Sequence, residues 1–236
     1  MAVTLNGTNG ITFNDGSAQN TAATGFGFKN RIINGAMMID QRNAGASGTA
    51  LDSYPTDRWK YEATQVSKLT WQQNAGSVTP PAGFTNYLGV TSLSSYAVIS
   101  SDYFDVEQRI EGYNVADLNL GSSSGSSFTV SFWVRSSITG TLGACLINGD
   151  TTRSYPFTYT ISSANTWTQI SVTIPGDTSG TWLKTNGAGI QINFSMGAGA
   201  TYSGAAGSWA AANYYSATGA QSVVGTNGAT FYITGV

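Results

Sequence analysis

The chain has 236 residues, only 9% of them charged, with a formal net charge of −2, a single cysteine and no histidine. Nothing clusters Lys and Arg for phosphate neutralisation, so nucleic-acid binding is disfavoured, and the missing histidine removes the usual general base and the hydrolase triads. One cysteine forms neither an intrachain disulfide nor a cysteine-based metal site, and no apolar run approaches the length that spans a bilayer.

Residues 1–26 differ from the rest. The alternations VTL and ITF are split by Asn-Gly and Asp-Gly turn signals and followed by the small-residue run SAQNTAATG. The stretch is too small to bury a core of its own. It is expected to fold against neighbouring copies or a docking surface through Leu5, Ile11 and Phe13, a partly disordered N-terminus being the alternative. The start, MAVTLNGTNG, has no basic segment followed by an apolar one, so the expectation is a chain made in a cytoplasm without a secretory signal.

From residue 27 to residue 236 one strand candidate follows another: RIINGAMMIDQR, DRWKYEA, KLTWQQ, NYLGVTSL, YAVISSDYF, EQRIEGYNVADL, FTVSFWVRSS, TLGACLING, YPFTYTI, TWTQISVTI, AGIQINFSM and TFYITGV. Val, Ile, Thr and aromatic residues dominate them, and Gly, Ser, Asn and Asp punctuate. In FTVSFWVRS, Phe128, Val130, Phe132 and Val134 fall on one face and Thr129, Ser131, Trp133 and Arg135 on the other; TWTQISVTI alternates likewise. Cys145, in TGTLGACLINGD, reads as a buried strand residue. GSWAAANYYSATG is the one weak helical candidate. Many half-buried strands at short spacing predict an all-β, antiparallel sandwich or jelly roll, with a closed barrel as second choice.

Few residues invite chemistry. Asp105, Glu107 and Glu111 share strand parity with Arg109, near Asp102, and read as a salt-bridged strand; a hydrolytic carboxylate pair and a calcium site are the alternatives. Asn148 and Asp150 in INGDTTR read as a turn, with a second calcium site as the alternative. No glycine-rich stretch has the lysine or the strand–loop–helix setting of a phosphate loop. After Lys184 no side chain is charged. Trp182 and Trp209 lie in loop-like contexts, and with Asn186, Asn213, Tyr214 and Tyr215 they are the candidates for stacking on sugar rings; packing within the loops or against another subunit is the competing reading. No metal and no cofactor is expected.

Two regions resemble known proteins. GITFNDGSAQNTAA resembles an element of bacteriophage tail fibres and related virion proteins, through Gly10, Ile11, Phe13, Asp15, Gly16, Ser17, Gln19, Thr21, Ala22 and Ala23. The body resembles the jelly-roll, carbohydrate-binding-module-like domain of phage fibre proteins, through NRIINGAMMIDQRNAG, YPTDRWKY, FTVSFWVRSS, the long NGDTTRSYPFTYTISSANTWTQISVTIPGDTSGTW, SWAAANYYSATGAQ and FYITGV. The resemblance implies a non-enzymatic virion protein, a homotrimer contacting other tail or capsid proteins, that presents its sandwich to a host cell-surface glycan. It also implies that RIINGAMMIDQR is the first strand of the sandwich, with Gly35 at a bend, Ile33, Met37 and Ile39 buried, and Arg31 and Arg42 flanking in solvent. A capsid decoration or head-fibre protein is the alternative, and a polysaccharide depolymerase the rival from another class.

Overall fold

The computed structural model describes residues 30–236 and, before them, only the backbone of three short strands. These are β1 (Thr4–Asn6), β2 (Gly10–Thr12) and β3 (Ala18–Gln19), which form a small sheet in which Leu5 stands opposite Ile11 and Ile11 opposite Gln19. Phe13, and the side chains of Leu5 and Ile11, lie outside the described residues. The chain divides into two compact units, Met1–Arg31 and Ile32–Val236.

The second unit is an antiparallel β-sandwich. Its strands are β4 (Ser53–Thr56), β5 (Trp59–Ala63), β6 (Leu69–Gln73), β7 (Leu88–Ser92), β8 (Tyr103–Glu111), β9 (Phe128–Ser136), β10 (Gly140–Asn148), β11 (Ser154–Ile161), β12 (Thr168–Ile174), β13 (Ala188–Ala198), the two-residue strands β14 (Ser203–Gly204) and β15 (Ser216–Ala217), and β16 (Thr230–Thr234). One sheet has six strands in the order β11-β10-β13-β8-β5-β4, the other five in the order β12-β9-β16-β7-β6. Each neighbouring pair is antiparallel.

Alternation decides which side chains meet between the sheets. In β9, Val130, Phe132 and Val134 are buried while Thr129 and Ser131 face solvent. Phe132 meets Phe194 and Tyr159 of the other sheet edge-on, at centroid distances of 4.8 and 5.1 Å. Trp59, Tyr61, Phe104, Leu142 and Phe231 complete the fully buried centre. Cys145 lies in β10 and is wholly buried, as its context indicates.

Three local expectations fail. RIINGAMMIDQR is no strand: residues 33–36 bend and turn, and residues 41–45 turn again. Asn34 and Met37 adopt positive φ (55° and 54°), and the Asn34 side chain supplies the bonds a ladder would have made, donating to the carbonyls of Ile39 and Asp57 (both 2.8 Å) and accepting from the Ile39 N–H at 3.0 Å. Turn chemistry at Asn-Gly thus prevails over the apolar run. Met37 is buried, but Ile33 and Ile39 are 44% and 47% exposed. Gly35 does sit at the bend, where a Cβ would come within 2.2 Å of the Val236 carbonyl oxygen. YAVISSDYF enters a strand only at Tyr103, and the end of EQRIEGYNVADL leaves it for one helical turn, α1 (Gly112–Val115). GSWAAANYYSATG forms no helix; Ala210 bridges to Ser154 and Ser216–Ala217 is β15.

Candidate functional site

The outer face of the six-stranded sheet gathers much of the chain's scarce charge. Strand alternation turns Trp59 and Tyr61 of β5, and Phe104, Val106 and Ile110 of β8, into the core. It turns Lys60 and Glu62, and Asp105, Glu107, Arg109 and Glu111, the other way. The register sets Lys60 opposite Glu107 and Glu62 opposite Asp105, and on the other side Gln191 opposite Arg109 and Asn193 opposite Glu107. Arg109 Nε lies 3.0 Å from Glu107 Oε1, and its Nη2 3.4 Å from Glu62 Oε1. Lys60 pairs with Glu62 and, at 3.0 Å, with Asp52. Arg58 Nη2 binds Glu111 Oε1 at 2.7 Å. The parity of Asp105, Glu107, Arg109 and Glu111 is therefore that of a salt-bridged strand.

Two of these carboxyl groups are fully buried, Asp105 and Glu107. Burial, then the neighbouring Glu62 carboxylate, pushes Glu107 up to about 7 despite Arg109 and Lys60. Burial, then Glu107 and Glu62, raises Asp105 well above the usual carboxylate range. The amide of Gln191 donates to Glu107 Oε2. The Asn193 amide stands 3.2 Å from Glu107 Oε2 and 3.0 Å from Asp105 Oδ2, placed for its NH2 to donate to both. Asp105 Oδ1 has no partner. Asp102 is held apart from this cluster, accepting from Tyr96 Oη (2.8 Å), Thr64 Oγ1 (2.9 Å), Gln65 Nε2 (3.0 Å) and the Ile99 N–H (3.1 Å). Burial opposes its charge, but these bonds outweigh it and hold the group below its ordinary value.

Beside the cluster lies a groove of about 320 Å³, lined by Tyr54, Arg58, Lys60, Glu107, Arg109, Ile110, Glu111, Asn186 and Ala188. Its size is at the lower end for small-ligand sites. Asn186 arrives on the loop before β13. That loop is tied to α1 by the Gly112 N–H bonding the Gly187 carbonyl at 2.8 Å and the Tyr113 N–H bonding the Thr185 carbonyl at 2.9 Å. Glycine is required at 112, since a Cβ there would meet the Leu183 carbonyl oxygen at 2.4 Å. Arg42 stacks over the Tyr54 ring at 4.3 Å.

Of the six residues the sequence offers for sugar stacking, only Asn186 lines the groove, alongside Glu107, Arg109 and Glu111 of the salt-bridged strand. Trp182 is buried, donates to the Ser179 carbonyl at 3.0 Å and meets Trp209 edge-on at 5.3 Å. Trp209 donates to the Pro175 carbonyl at 2.7 Å and packs on Tyr155. The loop beneath them is clamped by Arg153, which binds Asp177 through Nε (2.7 Å) and Nη2 (2.8 Å). Tyr215 is buried and stacks flat on Tyr103 at 4.3 Å, with Tyr202 edge-on to both. Tyr214 and Asn213 are half-buried beside it, and Asn213 Oδ1 is buried without a partner. The charge-free aromatic segment thus packs on its own sheet, over Cys145 and Ile147. Tyr54, Arg58, Lys60 and Arg109 were not singled out as ligand contacts by sequence; the available signal is that Lys60 and Glu62 alternate with the buried Trp59 and Tyr61.

No family profile matches the sequence, and no curated protein matches it. Solved structures to which the chain is similar include the following three. The enzymatically active domain of tailspike protein 4 of bacteriophage CBA120 is 12% identical with a TM-score of 0.43, over 75% of this chain and 19% of that one. A CBM4 structure is 15% identical with a TM-score of 0.40, over 86% and 94%. TmCBM61 in complex with β-1,4-galactotriose is 11% identical with a TM-score of 0.36, over 75% and 85%. The chain spans about a fifth of the tailspike chain's length. At these identities no residue here inherits a role from them.

Proposed function

We propose that the protein is a bacteriophage virion protein, a tail-fibre or receptor-binding component, whose sandwich binds a host-surface glycan in the groove over β5 and β8 without catalysing a reaction. The groove carries the reading. It places planar hydrogen-bonding groups (two guanidiniums, an amide and two carboxyl groups) beside a tyrosine, the chemistry that sugar hydroxyls and the apolar face of a sugar ring require. The resemblance of GITFNDGSAQNTAA to fibre elements supports placement on a virion and association as a homotrimer. Against hydrolysis stands the burial of Asp105 and Glu107: a glycosidase needs two carboxyl groups flanking an open cleft, and these two are engaged by Arg109, Gln191 and Asn193.

The test is retention of purified protein on immobilised host polysaccharide, with an assay for released reducing ends. Retention without release, weakened several-fold in Arg58→Gln, is expected; release of reducing ends would overturn the non-catalytic reading. Light scattering is expected to give three times the chain mass, and a monomer would sink the trimer. A second reading, decoration of the capsid, is favoured by Ile33, Met38 and Ile39, which are exposed within seven residues of one another and suit a protein contact.

A further inference from the structure

We infer that the groove selects an acidic saccharide, with a sugar carboxylate seated on the guanidinium groups of Arg58 and Arg109; this rests on the glycan-binding reading of the same groove. The first observation is where the charges point. The side chains of Arg58 and Arg109 are 38% and 53% exposed, while Glu62 and Glu107 beneath them are 12% and 0% exposed. Donors therefore face the ligand, and most of the acceptors are already buried. Glu111 is the one groove carboxylate with substantial exposure, and it is taken by Arg58.

The second observation is unspent bonding capacity. Arg58 uses Nη2 alone, for Glu111 and for the Arg109 carbonyl at 3.2 Å. Arg109 donates through Nη2 to Glu62 Oε1, and its Nε lies 3.0 Å from Glu107 Oε1 without closing a hydrogen bond. Among the described residues, Arg58 Nε and Nη1 and Arg109 Nη1 have no acceptor, and the Asn186 amide beside them is exposed and unbonded. A ligand filling this groove must bring acceptors. A carboxylate brings only acceptors, in the spacing a guanidinium fork fits, whereas a neutral hydroxyl matches donors and acceptors alike.

The third observation concerns the floor. An anion on Arg109 would be repelled by an ionised Glu107. Glu107 faces Lys60 and Glu62 from β5, Asp105 and Arg109 from β8, and Gln191 and Asn193 from β13. Burial and Glu62 already hold it near 7, so it takes up a proton readily as the sugar carboxylate takes its place on Arg109. Binding is then linked to proton uptake, at most about one proton per ligand and so at most about tenfold in affinity per pH unit.

The test is calorimetric titration of the full chain with a galacturonic acid trisaccharide and with its carboxyl-reduced galactose counterpart. Expected are tighter binding of the acid form by about tenfold, affinity that falls several-fold from about pH 6 to about pH 8, and net proton uptake. Glu107→Gln, which fixes the floor in the neutral form, is expected to hold the acid-side affinity across that range. Arg58→Gln, a surface change, is expected to erase the preference for the acid form. Equal binding of both sugars, or affinity for the acid form independent of pH, overturns the acidic-saccharide inference and leaves glycan binding standing. Binding of neither sugar by protein that still adheres to host polysaccharide likewise overturns the inference alone, while loss of that adhesion removes the parent reading as well.

Discussion

Asn148 is fully buried, and its carboxamide is used on both sides. Oδ1 accepts from the N–H groups of Thr152 (2.8 Å) and Arg153 (2.9 Å), and Nδ2 donates to the Thr181 carbonyl (2.9 Å) and Thr152 Oγ1 (3.1 Å). Asn148→Ala strands these groups out of water, so denaturant unfolding should show a loss of roughly 2–4 kcal/mol. Glu107 carries a different signature. Its folded-state value, about 7, lies above the ordinary 4.5. The folded chain thus holds the proton more tightly than the unfolded one, and the stability gained is complete below about pH 4.5 and lost as pH rises through about 7. Glu107→Gln cannot ionise, so by thermal unfolding it should exceed the parent by about 3 kcal/mol near pH 8 and match it near pH 4. At this scale the sequence was partly legible. Asn148 reads as a turn residue, and Glu107 shares a face with Arg109. That Lys60 and Glu62 join them was not, because the pairing depends on a register between β5 and β8, more than forty residues apart. Trp182 and Trp209 stand in glycine- and serine-flanked contexts that suggest exposure, yet each fills the other's surroundings once the loops meet.

Alternation in sequence identified β9 and β12 because one face of each is exposed. It fails for β10 and β13, which are buried on both faces along nearly their whole length. The reason is the segment from residue 200 to 217, which folds over their outer side and presses β15 onto β10. Gly143 permits this approach: a Cβ there would meet Ser216 Oγ at 2.2 Å and the Ala217 nitrogen at 3.1 Å. Gly143→Val should lift the cover off the sheet and open Cys145, packed beside Tyr215, to solvent. A thiol reagent that leaves the native protein untouched should then label it; an unlabelled Cys145 in a folded variant would show that the cover does not depend on that contact. RIINGAMMIDQR marks the reverse error. Its apolar content suggests a strand, but Asn34 draws the backbone bonds into a loop and leaves Ile33 and Ile39 outside.

For the whole molecule, an antiparallel sandwich follows from the number and spacing of half-buried strands, and residues 32–236 form one. The strand order does not follow, since β8 pairs with β5 and β13, and β16 with β7 and β9, across long stretches of chain. The groove exists only as a product of that order, assembled from β4, β5 and the turn between them, β8, and the loop leading into β13. The receptor-binding role proposed for it is tested most directly by competition: excess purified protein is added to host cells, and the fraction of phage that still adsorbs is counted. Dose-dependent blocking by the parent protein, weakened several-fold in Arg58→Gln, is the expected result. Undiminished adsorption in the presence of folded, oligomeric protein would contradict receptor binding through this groove and move the weight to a place on the capsid.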